Sequence, residues 1–118
     1  MNILLILKIV AATATFATGI FALVKPIAVP DFTGLLIDGA RGTSEIRAIF
    51  GGLFIGLGIA PFILGEPAYR MLGIAYLAIA IARAFSIVFD KSYASSNWIS
   101  LGIEIVLGAI LVLRSGGS

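Results

Sequence analysis

Cysteine and histidine are both absent from this chain of 118 residues. Without thiols or imidazoles, the sequence excludes disulfides, thiol redox chemistry and the side chains that most often bind zinc and haem. We therefore expect no metal site and no cofactor that this chain binds by itself. A bound lipid, or a cofactor held by a partner, is still compatible with the sequence.

Charged residues are also scarce, at 12% of the sequence, whereas soluble domains have about 25%. Eight basic and six acidic residues are scattered along the chain and give a net charge of +2. They form no basic block of the kind that binds nucleic acid. We therefore expect membrane lipids as partners and no nucleic acid.

Hydrophobic residues make up 60% of the chain, in runs long enough to cross a hydrocarbon layer, which takes about 20 helical residues. Four transmembrane helices are predicted, with Thr43 and Ser44 as candidate N-caps of the second. Short polar loops follow the second and third helices, so residues 1–118 are expected to form one all-α transmembrane domain, a four-helix up-down-up-down bundle. The predicted helices are about 3–24, 45–64, 67–89 and 97–113.

Small residues recur at intervals of four along the second predicted helix: Ala48, Gly52, Gly56 and Ala60. Such a stripe lets two helix backbones approach closely in lipid. We expect these residues to be helix-packing positions within the chain, and the alternative is a homodimer face.

Arg83 and Glu104 each lie inside an apolar run, where a charge costs about 2.5 to 3.5 kcal/mol and tends to find a partner inside the bundle. Arg83 is seven residues before Asp90 and Glu104 is seven after Asn97, so both lie about 10 Å below the same surface. This surface is called side B, and the surface bearing the N-terminus is side A. We expect an ion pair, and the alternatives are snorkelling of Arg83 or contact with a lipid phosphate.

Further polar residues share these helix faces. Glu45 is expected to point inward and Arg47 to lie on the flank near the headgroups. Together with Arg83 and Glu104 they predict a polar cup at side B. Its supporting residues are Asn97 and Ser100 on the fourth helix, and Tyr76 and Ser86 on the third.

The chain resembles a known family in the run Gly42-Thr43-Ser44-Glu45-Ile46-Arg47-Ala48, in the Phe50-Gly51-Gly52 that follows, in Ala82-Arg83 with Ser86, and in Glu104. The family comprises small bacterial four-helix membrane proteins catalogued as domain of unknown function 4345, distantly akin to DoxX-like proteins. The resemblance covers residues 42 to about 113. It implies a multi-pass protein of the bacterial inner membrane, with both termini cytoplasmic, and it groups Glu45, Arg47, Arg83 and Glu104 in one constellation.

Three classes of function follow. The first is an accessory or assembly subunit that packs against a larger membrane complex or forms a homo-oligomer. The second is binding or permeation of a small anion, a lipid headgroup or a quinone-like ligand in the polar cup. The third is an enzyme with Glu45 or Glu104 as a proton-transfer group, but the sequence has no recognisable nucleophile with an adjacent base, no metal-ligand set and no phosphate-binding loop. We expect the subunit function, and no catalysis.

Overall fold

The chain folds into long helices, and a computed structural model describes residues 2–114. Met1 and residues 115–118, which the predicted domain includes, lie outside the described residues. Within 2–114 there is no strand, and four helical spans are long and apolar enough to cross a membrane: Ile3–Val24, Gly39–Leu64, Glu66–Phe89 and Ser95–Val112. The predicted all-α four-helix membrane bundle is confirmed, and the spans indicate a multi-pass membrane protein.

The first helix, α1 (Ile3–Val24), begins at Asn2, whose side-chain oxygen accepts a hydrogen bond from the amide of Leu5 at 2.7 Å. An asparagine in this position satisfies one of the amides that a helix start leaves unpaired. The helix ends before Pro26, which opens a 3-10 turn (Pro26–Ala28). With 22 residues, α1 is about 33 Å long and spans a bilayer core.

The linker after α1 packs onto the side B end of the bundle. A short helix, α2 (Pro30–Thr33), ends at Gly34, whose φ of 78° is left-handed. Just before it, Val29 is fully buried against Ala22 and Ile46. This apolar cluster fixes residues 30–35 over the side B end.

The second span begins six residues earlier than predicted, at Gly39 instead of residue 45. It consists of α3 (Gly39–Glu45), a π-helical segment (Ile46–Leu53) and α4 (Phe54–Leu64). Thr43 does not cap a helix start, because its hydroxyl donates to the carbonyl of Gly39 one turn earlier. Threonine bonds in this way inside helices, so the N-cap prediction is wrong.

Glycines bring α1 against the second span. A Cβ added at Gly58 would lie 2.5 Å from the amide nitrogen of Phe16, and one added at Gly19 would lie 2.7 Å from the carbonyl oxygen of Gly51. Both distances are to backbone atoms and are too short for a real Cβ. A residue larger than glycine at either position would therefore push the two helices apart. These two helices therefore form a tightly packed pair.

The predicted stripe faces away from this contact. Ala48, Gly52 and Gly56 are exposed and Ala60 is half-buried, and a Cβ at Gly56 would meet no atom within 4 Å. The prediction assumed 3.6 residues per turn, whereas the buried Ile46 and Gly51 are five residues apart, the interval of a π-helix. The prediction that this stripe packs against another helix of the chain is therefore wrong.

The helix α5 (Glu66–Phe89) follows the turn at Gly65 and pairs with α6 (Ser95–Val112). Gly73 and Gly108 allow this approach, since a Cβ at Gly73 would lie 2.7 Å from the amide nitrogen of Val112. The two helix pairs meet toward side A in a core that includes Ala12, Leu72 and Leu111.

Candidate functional site

Arg83 of α5 and Glu104 of α6 form an ion pair in the side B half of the bundle. Nε of Arg83 donates to one carboxylate oxygen of Glu104 at 2.8 Å, and Nη2 donates to the other at 2.7 Å. This two-bond geometry is the strongest that arginine and a carboxylate form. Glu104 is buried and the side chain of Arg83 is 31% exposed. The structure thus brings together the two charges that were expected to pair.

Asn97 binds the guanidinium nitrogen that Glu104 does not bind. Its side-chain oxygen accepts a hydrogen bond from Nη1 of Arg83 at 2.7 Å, and its amide nitrogen donates to the carbonyl and the hydroxyl of Ser92. The network thus connects α5, the start of α6 and the loop between them. The side-chain oxygen of Asn97 holds Arg83, and its amide nitrogen anchors Asn97 itself to Ser92.

A cavity of about 630 Å³ lies beside this network at the side B end. Residues 30–35 of the linker border it, and Phe50 and Phe54 line it from the second span. Arg83, Asn97 and Ser100 line it from α5 and α6. The cavity therefore lies between the two helix pairs at their side B ends, beyond the core that joins them toward side A.

The supporting residues predicted from the sequence have different positions. Ser100 lines the cavity, as Asn97 does, while Ser86 donates to Asp90 and lines a smaller pocket that shares Arg83 and Asn97 with the cavity. The hydroxyl of Tyr76 bonds that of Thr15 on α1, and neither residue lines the cavity. Tyr76 therefore supports the bundle interior at a different level.

Glu45 and Arg47 do not join the site, so the predicted four-residue constellation is wrong. Both are exposed, and Glu45 pairs with Arg41 one turn earlier on α3. The cause is the early start of the second span, which gives Glu45 a helical neighbour four residues before it. Of the predicted cup, one arginine and one acid are brought together.

A third ion pair, which the sequence prediction missed, lies toward side A. Nζ of Lys8 on α1 is 2.6 Å from a carboxylate oxygen of Glu66 at the start of α5, and Lys8 is fully buried. A buried charge in an apolar run signals such a partner. Lys8 lies inside the first predicted helix, and Glu66 lies between the second and third.

The site offers a ligand hydrogen-bond donors of fixed position, the N–H groups of Arg83. Within residues 2–114, no group of three or more acidic side chains is placed to hold a metal ion. A guanidinium has five N–H donors, and its bonds to Glu104 and Asn97 use three of them. The two that remain, on Nη1 and Nη2, can donate to an oxygen in the cavity.

Comparison with known proteins gives one match. The family model described as Domain of unknown function (DUF4345) matches residues 3–114. No curated protein and no solved structure matches the chain. The match does not bear on the kinship with DoxX-like proteins, which stays a prediction.

Proposed function

The chain belongs to the DUF4345 family, and from that premise we propose that it is a membrane binding protein whose cavity at side B takes a ligand from the bilayer. The proposal contains no chemical reaction. The ligand lies between the two helix pairs and contacts Arg83. This is the second of the three classes that the sequence left open.

The observation that carries the proposal is the cavity with a fixed arginine in its wall. Its volume of about 630 Å³ is in the range of small-molecule sites, about 300 to 1,000 Å³. Such sites combine apolar walls with a few precisely placed polar groups. Phe50 and Phe54 supply the apolar wall, and Arg83 and Ser100 supply the polar groups.

The test is native mass spectrometry of the protein extracted with its surrounding lipid. Wild-type protein should carry a bound mass that resists delipidation. Ser100→Phe, which puts a ring into the cavity, should lose that mass. Gly102→Phe is the matched control, because it adds the same ring to the same helix at a position where a Cβ meets no atom within 4 Å.

Retention of the mass by Gly102→Phe and its loss from Ser100→Phe would support the proposal. Wild-type protein without a bound mass, or equal retention by both variants, would overturn it. Helix content measured by circular dichroism shows that each variant is folded before the masses are compared.

A second candidate is the accessory subunit, and the exposed small-residue stripe favours it. Ala48, Gly52 and Gly56 leave a helix face that the chain's own helices do not cover. Small residues on such a face suit a helix of a larger complex or of a second copy. Replacing Gly52 and Gly56 by leucine should then release a co-purifying partner, whereas Gly102→Leu should not. If no partner co-purifies with wild-type protein, this candidate fails.

The proposed location is the bacterial inner membrane with both termini cytoplasmic, which would turn side B and its cavity to the periplasm. Support comes from the family resemblance, since the basic residues are nearly even on the two sides. A cysteine at Ser92 should then react with an impermeant maleimide in intact cells. A cysteine at Ser115, which lies outside the described residues, should react only after lysis. The reverse pattern would contradict this orientation.

A further inference from the structure

The walls of the side B cavity indicate the class of molecule it binds. Resting on the binding function proposed above, we propose that the ligand is an uncharged amphiphile. Its carbonyl or hydroxyl oxygens accept hydrogen bonds from Arg83, and its apolar part lies against Phe50 and Phe54. The three ligand classes suggested by the sequence included a small anion, and the charges of the site disfavour it.

The charge of Arg83 is compensated inside the protein. Both carboxylate oxygens of Glu104 lie within 2.8 Å of guanidinium nitrogens. The other charged residue that lines the cavity is Asp31. Counting Arg83 as +1, with Glu104 and Asp31 as −1 each, the net charge is −1. An anion entering the cavity gains little from Arg83 and meets repulsion from the two acids.

The hydrogen-bond donors remain available although the charge is balanced. One N–H on Nη1 and one on Nη2 of Arg83 are unused by Glu104 and Asn97. Glu104 and Asn97 also hold the guanidinium in one orientation, so little side-chain entropy is lost when a ligand binds. A neutral oxygen therefore gains a fixed donor without bringing an uncompensated charge into the cavity.

The second span supplies an apolar surface to the same cavity. Phe50 and Phe54 lie one turn apart with their ring centroids at 6.1 Å, and both line the cavity. A ligand that contacts both walls must therefore be polar at one end and apolar at the other. This requirement excludes a free inorganic ion and fits a molecule dissolved in the bilayer.

The test moves the protein's single tryptophan onto the cavity wall. The chain has one tryptophan, Trp98, so Trp98→Phe with Phe54→Trp places the only indole in the cavity. Trp98→Phe with Phe85→Trp is the control, because Phe85 is two residues beyond Arg83 on α5 and 62% exposed. Both proteins are titrated in phosphatidylcholine nanodiscs with brominated diacylglycerol and, separately, with phosphatidic acid carrying the same brominated chains. Trp98→Phe with Phe50→Trp replaces the first protein if that one does not fold.

We expect brominated diacylglycerol to quench the cavity tryptophan at a mole fraction about tenfold lower than phosphatidic acid does, since juxtaposed like charges disfavour the acid. The control tryptophan should show no difference between the two lipids. Equal or stronger quenching by phosphatidic acid at the cavity would overturn the uncharged ligand and leave the binding function standing. If neither lipid quenches the cavity tryptophan beyond the control, the uncharged amphiphile is also overturned. The binding function is then decided separately by the mass that Ser100→Phe loses.

Discussion

Lys8 and Glu66 form an ion pair that joins the two halves of the bundle at side A. The Lys8 ammonium is fully buried and lies 2.6 Å from the Glu66 carboxylate, which is 19% exposed beside the turn at Gly65. Arg83 and Glu104, in contrast, join α5 to α6 within one half. The halves are therefore linked by charge at the end opposite the cavity. The ion pair and the apolar core that includes Ala12, Leu72 and Leu111 thus both link the halves toward side A.

The two partners at side A should differ in the cost of removal. Glu66→Gln leaves the buried Lys8 ammonium without its carboxylate, and should lower the free energy of unfolding by about 3 to 5 kcal/mol. Lys8→Met leaves a carboxylate near the surface and should cost less, about 1 to 3 kcal/mol. Unfolding in mixed detergent micelles, followed by circular dichroism, measures both. The double variant should be more stable than Glu66→Gln alone, and equal costs for the two single variants would contradict the assigned burial.

Two glycines of α4 give a matched pair for helix packing. Gly58→Ala puts a Cβ 2.5 Å from the amide nitrogen of Phe16 and 2.8 Å from the carbonyl oxygen of Ala12, and should cost about 2 to 3 kcal/mol through overpacking. Gly56→Ala meets no atom within 4 Å and should gain about 0.5 to 1 kcal/mol from helix propensity. Thermal unfolding in one detergent compares them. Similar midpoints for the two variants would show that α1 does not pack against Gly58.

The sequence predicted the parts of this molecule that depend on apolar run length and on the cost of buried charge. The four spans follow from the length of the apolar runs. The contact between Arg83 and Glu104 follows from the cost of buried charge, because both residues lie at the same depth below one loop. Lys8 was missed although the same argument applied to it. Its partner Glu66 lies between the second and third predicted helices, and a residue of such a turn at the membrane surface can still reach inward.

The inner face of the second span could not be predicted, because the prediction required a fixed helical period. The π-helical segment makes Ile46 and Gly51 the buried positions, and this moves the small-residue stripe outward. Nothing in a single sequence marks where a helix widens by one residue per turn. The polar wall of the side B cavity follows from the predicted cup, but its other walls do not, since they depend on how residues 30–35 and the second span lie beside that wall.

Asn97 should control the order of the loop between α5 and α6. Asn97→Asp keeps the acceptor for Arg83 but loses the amide that donates to the carbonyl and hydroxyl of Ser92. The Ser92 amide, which donates to the carbonyl of Ile87, should then exchange about tenfold faster, as expected for a lost hydrogen bond of about 1.4 kcal/mol. Hydrogen exchange with mass spectrometry measures this. Ser95→Ala, at the start of α6, is the control, and unchanged exchange in Asn97→Asp would contradict the role.

The coupling between Arg83 and Glu104 should be large, because their charges share two hydrogen bonds and Glu104 is buried. Arg83→Leu and Glu104→Leu should each lower the free energy of unfolding by about 3 kcal/mol, since each leaves one charge without its partner. The double variant removes both charges at once. Its cost should therefore fall below the sum of the two single costs by about 1 to 3 kcal/mol.

The exposed pair of Arg41 and Glu45 on α3 is the matched control for this cycle. These side chains are 78% and 56% exposed, so solvent screens their attraction and a small coupling is expected. Both cycles use the same unfolding measurement in the same detergent. If the cost of the Arg83 and Glu104 double variant equals the sum of its single costs, the two charges are not coupled. A cavity wall fixed by their contact would then be excluded, because Arg83 would be held by Asn97 alone.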